Sequence, residues 1–130
     1  MPVSRRAVAA SATAVLAAAG FAPRRAAAQS GAMYGLISQL FAQPGRRDDL
    51  VAILLAASAA MPGCLSYVVA RDAGREDAIW ITEVWRDKAS HAASLSLPQV
   101  RAAIAKGGAL IAGVGTRAET APAGGAGLAA

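Results

Sequence analysis

Two Pro-Gly pairs, Pro44-Gly45 and Pro62-Gly63, enclose the one long stretch of this chain whose apolar residues recur at helical spacing. Proline lacks the amide hydrogen that a helix or sheet interior needs, and glycine accepts backbone angles other residues avoid, so each pair marks a turn. Between them Leu50, Ile53, Leu54, Ala57 and Met61 fall on one face, and Asp48 and Asp49 stand in the first turn, where the helix dipole favours negative charge. The spacing predicts a helix from Arg46 to Met61. A helix with one apolar face must bury it, so a sheet or a second helix is required.

The flanking sequence supplies strands. Met33 to Ala42 is apolar-rich, with Tyr34, Leu36 and Leu40 on one face and Ile37 and Phe41 on the other. Leu65 to Arg71 is β-branched and aromatic. The turn-rich run from Asp72 to Asp77 follows, then a further strand from Ala78 to Arg86, which together read as a hairpin. Asp87 is placed to cap a short helix through His91 to about Ser94, and Ser96 to cap another, with Pro98 in its first turn, out to Lys106. Gly107-Gly108 ends it, and Leu110 to Glu119 forms a last strand. The expected fold is α+β, a ferredoxin-like β-α-β-β-α-β arrangement: a four-stranded antiparallel sheet with its helices on one face. The other face also carries apolar side chains, and a second subunit is the simplest cover, so a homodimer is expected.

The first 28 residues read differently. Ser4, Arg5 and Arg6 precede an Ala-rich, almost uncharged run from Ala7 to Ala22, and Pro23-Arg24-Arg25 leads to Ala26-Ala27-Ala28. A basic start, an apolar run and a small-residue site are the parts of an export signal, and the arginine pair points to the twin-arginine route. The expected organisation is a signal over 1–28 cleaved after Ala28, a domain over 32–120, and an arm over 121–130. An amphipathic N-terminal helix or a retained anchor competes with this reading, but the apolar run falls short of the roughly 20 residues a spanning helix needs. An exported protein, periplasmic or secreted, with no stable membrane anchor after cleavage, is therefore expected.

Removing the signal changes the charge argument. The chain carries 13 Lys and Arg against 8 Asp and Glu. Arg5, Arg6, Arg24 and Arg25 leave with the signal, so nine bases face eight acids and the net charge falls to +1. No clustered basic face remains, and nucleic acid is not an expected partner. Cys64 is the only cysteine and His91 the only histidine, so neither an internal disulfide nor a Cys/His zinc site of ordinary ligand number can be built, and no metal is expected.

Four stretches, in order, resemble the antibiotic biosynthesis monooxygenase family. They are Gln43-Pro44-Gly45-Arg46 before an acidic helix start; Met61-Pro62-Gly63-Cys64-Leu65-Ser66-Tyr67 entering the second strand; Glu83-Val84-Trp85-Arg86-Asp87 closing the third; and Glu119-Thr120-Ala121-Pro122 with Gly124-Gly125 at the C-terminal arm. His91 stands where that family has a histidine at the start of the next helix. No one motif is specific, but their order and context agree. The resemblance implies the same fold, dimerisation sheet against sheet, and a cavity between sheet and helices.

Residues two apart on a strand share a face, so Glu83 and Trp85 project together with Ile79 and Ile81. With His91 they bring a carboxylate, an indole and an imidazole to one end of the sheet. As catalytic candidates, His91 is the general base or hydrogen-bond partner for a phenolic or quinol hydroxyl, since imidazoles ordinarily titrate near neutrality, and Glu83 orients a partner. Trp85 forms an aromatic wall, and Tyr34, Tyr67 and Arg101 are further substrate-binding candidates. Structural roles compete with each: Glu83 and Trp85 can fix an interface or a cap, His91 can simply be packed, the tyrosines can fill the core, and Arg101 can be a solvated residue. Cys64 reads as a small packed residue rather than a reactive thiol.

Departures from the family narrow the chemistry. The chain contains no asparagine, and Gln99-Val100-Arg101-Ala102 holds no second histidine. The aromatic-polyketide and haem-degrading members use an active-site asparagine, and the haem degraders add that histidine. The closest remaining group oxidises quinols, whose substrates activate dioxygen once deprotonated, with no bound cofactor. The expected partners are thus a small aromatic or quinol substrate and dioxygen; a non-catalytic dimer that binds small aromatics is the alternative. Gly113-Val114-Gly115-Thr116-Arg117-Ala118 matches a dinucleotide fingerprint in letters only, because no helix follows it.

Overall fold

The first strand, β1, runs over Tyr34–Ala42 and lies inside a four-stranded antiparallel sheet. The computed structural model describes residues 32–128, so the expected signal and its cleavage point lie outside the described residues. After β1 come α1 (Arg47–Ala57), β2 (Cys64–Arg71), β3 (Ala78–Trp85), α2 (Lys88–Ser94), α3 (Pro98–Gly108) and β4 (Ile111–Thr120). The spatial order is β2-β3-β1-β4, with β1 and β3 central. This is the expected ferredoxin-like sheet, with the second helical connection resolved into two helices, giving β-α-β-β-α-α-β.

Helix α1 begins as its acidic first turn suggests but ends four residues earlier than its apolar spacing predicts. Ser58 is the C-cap, and its Oγ donates to the Leu55 carbonyl at 2.8 Å. The residue before a proline is biased away from helical angles, so Pro62 removes Met61 from the helix. Met61 packs instead beside Tyr34, Leu36 and Trp85. In α3 the proline decides the start: Pro98 occupies the first turn, Leu97 becomes the N-cap without a side-chain bond, and Ser96 does not cap it. The amide of Ser96 donates to the Ala93 carbonyl and so completes α2. Gly107 and Gly108 form the last turn of α3 rather than ending it, and Ala109 is the cap.

The core lies between sheet and helices. Ala42, Leu50, Val51, Ile79, Ile81 and Leu110 form its main cluster. Leu50 and Ile79 are almost wholly removed from solvent, and each contributes about 2 kcal/mol of burial. A second cluster, Tyr34, Leu36 and Trp85, sits at the other end of the same face with Met61 and Cys64 against it. The opposite sheet face carries Ile37 and Val84 half-buried and Val68 exposed. The arm after β4 crosses the end of β1. A Cβ on Gly35 would meet Pro122 Cγ at 2.9 Å, so the arm's seat depends on that missing side chain.

Candidate active site

The site is built at the end of the sheet where the second cluster lies. Strand alternation sends Ile79, Ile81, Glu83 and Trp85 to the helix side, and all four are buried. Trp85 Nε1 donates to Glu83 Oε1 at 3.1 Å along the same strand. The neighbours of Glu83 across the sheet are Leu36 on β1 and Tyr67 on β2, neither charged. Burial therefore pushes the Glu83 carboxyl above the ordinary carboxylate range, with the indole bond and the charges of His91 and Arg117 opposing that rise only in part.

Two local devices hold His91 above this carboxylate. The Asp87 side chain accepts from the Ser90 amide at 2.7 Å and starts α2, as its position in the sequence suggests. Gly63, at φ +81°, lies so close that an added Cβ would stand 2.6 Å from Ser90 Cβ. Its carbonyl accepts from the Arg86 amide at 2.8 Å, tying the entry of β2 to the exit of β3. One turn on, the His91 ring meets Tyr34 at a centroid distance of 5.2 Å and the edge of Trp85 at 5.4 Å.

A cavity of about 290 Å³ opens between sheet and helices beside these residues. Ser58, Tyr67, Glu83, Trp85, His91 and Ser94 supply its polar lining. Its walls are otherwise aliphatic, among them Leu50, Leu54, Met61 and Val100. Leu95 and Ile104 also line it and are 50 % and 59 % exposed, which makes them its mouth. Ser94 Oγ is already committed to the His91 carbonyl at 2.6 Å. Desolvation, with Glu83 nearby, raises the Tyr67 phenol far above its ordinary value, so that hydroxyl stays protonated.

The six candidate residues thus divide. Glu83, Trp85, His91 and Tyr67 line one cavity. Tyr34 does not line it: it supports His91 from the side, and its hydroxyl donates to Glu119 Oε1 at 2.9 Å. Arg101 lies exposed on α3, while Val100, Ala103 and Ile104 of that helix line the cavity. Sequence reasoning missed Glu119 and Lys88, which meet at 3.3 Å beside Tyr34 although 31 positions separate them. It missed Leu95 and Ile104 because a solvent-exposed apolar residue on a short helix has no periodic signature. A wider groove beside Pro44-Gly45 is lined by several charged groups, of which Arg75 is paired to Asp77 at 2.6 Å. Among the described residues no three His, Cys, Asp or Glu side chains cluster as a metal site would require, and no helix is long and apolar enough to cross a membrane.

Comparison with known proteins agrees with this geometry. The family model for antibiotic biosynthesis monooxygenase matches residues 33–106, from the start of β1 into α3. A crystal structure from Chloroflexus aurantiacus, described as a candidate antibiotic biosynthesis monooxygenase, is 58% identical; the match covers 75% of this chain and 99% of that one, with a TM-score of 0.73. Two more distant crystal structures share the fold. One from Caulobacter crescentus is 21% identical over 72% of this chain and 92% of its own, at a TM-score of 0.66. One from Pseudomonas aeruginosa is 24% identical over 72% and 96%, at 0.64. No curated protein matches the chain. The family match over more than half the chain, and the close relative spanned almost end to end, lead to one conclusion: this chain belongs to the antibiotic biosynthesis monooxygenase family.

Proposed function

We propose that the protein is an exported, cofactor-independent monooxygenase-like enzyme that oxidises a quinol or another small phenolic with dioxygen. The observation that carries this reading is the convergence of Glu83, Trp85 and His91 on one largely apolar cavity. An aromatic ring would lie among the aliphatic walls and against Trp85, with a hydroxyl directed at His91. A ring nitrogen of His91 takes the hydroxyl proton, and the resulting anion gives up electrons to dioxygen far more readily than the neutral phenol. Water is held back by the walls, which protects the reactive anion.

Oxygen uptake by a reduced naphthoquinol tests this. The protein should accelerate it over buffer, and His91→Ala should lower the rate by about a hundredfold, the low end of what a general base supplies. No acceleration with any of several quinols would remove the reading. Binding without turnover has its own support, because Trp85 Nε1 and Ser94 Oγ are already satisfied within the protein and are not free to stabilise a developing charge. Thermal stabilisation by aromatic compounds in the absence of oxygen uptake would favour it.

Two further parts of the proposal concern the whole protein. The N-terminal 28 residues act as a twin-arginine export signal, which N-terminal sequencing of the secreted or periplasmic form would test. A homodimer forms through the open sheet face, where Ile37, Val68 and Val84 otherwise meet water.

A further inference from the structure

We propose that Glu83 makes the cavity selective by charge, so that it takes neutral hydroxylated aromatics and rejects aromatic carboxylates of the same shape. This rests on the reading of the cavity as an aromatic-ligand site and adds what decides among ligands.

Few of the polar atoms that a ligand would meet in the cavity are unoccupied. The Trp85 Nε1 donor is used by Glu83, the Ser94 hydroxyl by the His91 carbonyl and the Ser58 hydroxyl by the Leu55 carbonyl. What remains for a ligand is the second Glu83 oxygen, the Tyr67 hydroxyl and the His91 ring. Among the described residues no lysine or arginine lines the cavity. Arg101 stands exposed on α3, and Arg117 on β4 acts on Glu83 only through its charge, without lining the space. Among the described lining residues His91 is the only one with a basic side chain, and it lies near enough to act on the Glu83 carboxyl.

A neutral hydroxyl suits this arrangement. It can donate to the free Glu83 oxygen or to a His91 ring nitrogen and accept from the Tyr67 hydroxyl, with no unpaired charge brought in. A carboxylate on the same ring has no cation to meet. It would bring a second negative charge beside a carboxylate that accepts only one internal hydrogen bond, in surroundings where charge is poorly solvated. One of the two groups would have to bind a proton, and that cost appears as lost affinity.

Naphthol, naphthoate and naphthamide separate shape from charge; naphthamide has the shape of naphthoate without its charge. Calorimetric titration of the full-length protein at about pH 8, where naphthol is neutral and naphthoate ionised, should give naphthol and naphthamide at least about tenfold tighter than naphthoate. In Glu83→Gln, which keeps the indole's acceptor, the gap between naphthamide and naphthoate should fall below about threefold through gained naphthoate affinity. Naphthoate binding the native protein as tightly as naphthamide overturns the proposal, with no variant needed. So does a gap that survives in a folded Glu83→Gln protein. Failure of all three compounds to bind overturns the aromatic-site reading beneath it, a different result from binding without discrimination.

Discussion

The Tyr34 hydroxyl, at the first residue of β1, donates to Glu119 Oε1 near the end of β4 at 2.9 Å, and the same tyrosine ring lies against His91. The first and last strands, side by side in the sheet, are thus joined at the residue that supports the candidate base. Lys88, on the helix that carries His91, reaches the same Glu119 carboxylate at 3.3 Å. These bonds hold the Glu119 carboxyl below its ordinary range, the tyrosine bond contributing most.

Ring and hydroxyl make separable contributions. Tyr34→Phe keeps the contact with His91 and loses the bond to Glu119, so melting should fall by about 4 °C, the size of one net hydrogen bond in a domain this small. Tyr34→Ala removes the ring as well and should fall further. It should also lose ligand affinity, because His91 loses its lateral support. Thermal melts and ligand titrations of both variants check this; equal effects from Phe and Ala would contradict the division.

The buried carboxyl gives a signed pH dependence. Because burial raises the Glu83 value in the folded chain, the folded state holds a proton that the unfolded state has released across the interval above the ordinary carboxylate value. The stability contributed by protonated Glu83 is therefore complete below that ordinary value. It is lost as pH rises through the raised folded value. Carboxylates such as Asp72, held low chiefly by the Trp80 indole and the Gly74 amide, act oppositely and lose their contribution as pH falls. Urea unfolding over a pH series should show Glu83→Gln gaining on the native protein as pH rises. A constant difference would mean that Glu83 does not titrate differently on folding.

Gly63 should be intolerant of a side chain. Alanine there meets both a positive φ and a Ser90 Cβ only 2.6 Å away, and the first alone costs about 1–2 kcal/mol. Gly63→Ala should destabilise by at least that amount and displace α2, weakening ligand binding at His91. Adding Ser90→Gly should recover the steric part and leave the conformational part. Denaturant midpoints of the single and double variants measure both; no recovery would show that contact with Ser90 is not the source of strain.

The fold was legible because its punctuation is local. Pro44-Gly45 and Pro62-Gly63 fix turns within a few residues, Asp87 caps α2 through its own side chain, and strand alternation alone put Glu83 beside Trp85. Errors came where two local signals competed: Pro98 set the first turn of α3 and left Leu97, not Ser96, as its cap, and Pro62 outweighed the apolar spacing that carried α1 to Met61. The site was legible in part for the same reason. Glu83, Trp85 and His91 lie within nine positions of each other, so neighbouring elements bring them together. Tyr34 and Glu119 are 85 positions apart, and only the pairing of β1 with β4 joins them. Arg101 stands away from this cavity because the face a helical residue occupies is set by packing, and Val100 and Ala103 took the cavity side.

The open sheet face offers the last test. Val68 is 52 % exposed near the middle of edge strand β2, and Ile37 and Val84 lie half-buried on the same side of the sheet. If a second copy covers this face, Val68→Asp places an unpaired charge in an apolar interface, at a cost of several kcal/mol to association. If water covers it, the change is a surface substitution worth within about 0.5 kcal/mol. Sedimentation at micromolar concentration should therefore show the native protein as a dimer and Val68→Asp as a monomer. The cavity lies on the other face of the sheet, between the sheet and the helices. The separated monomer should for that reason still bind aromatic ligands, whereas lost binding on dissociation would place the partner chain at the site.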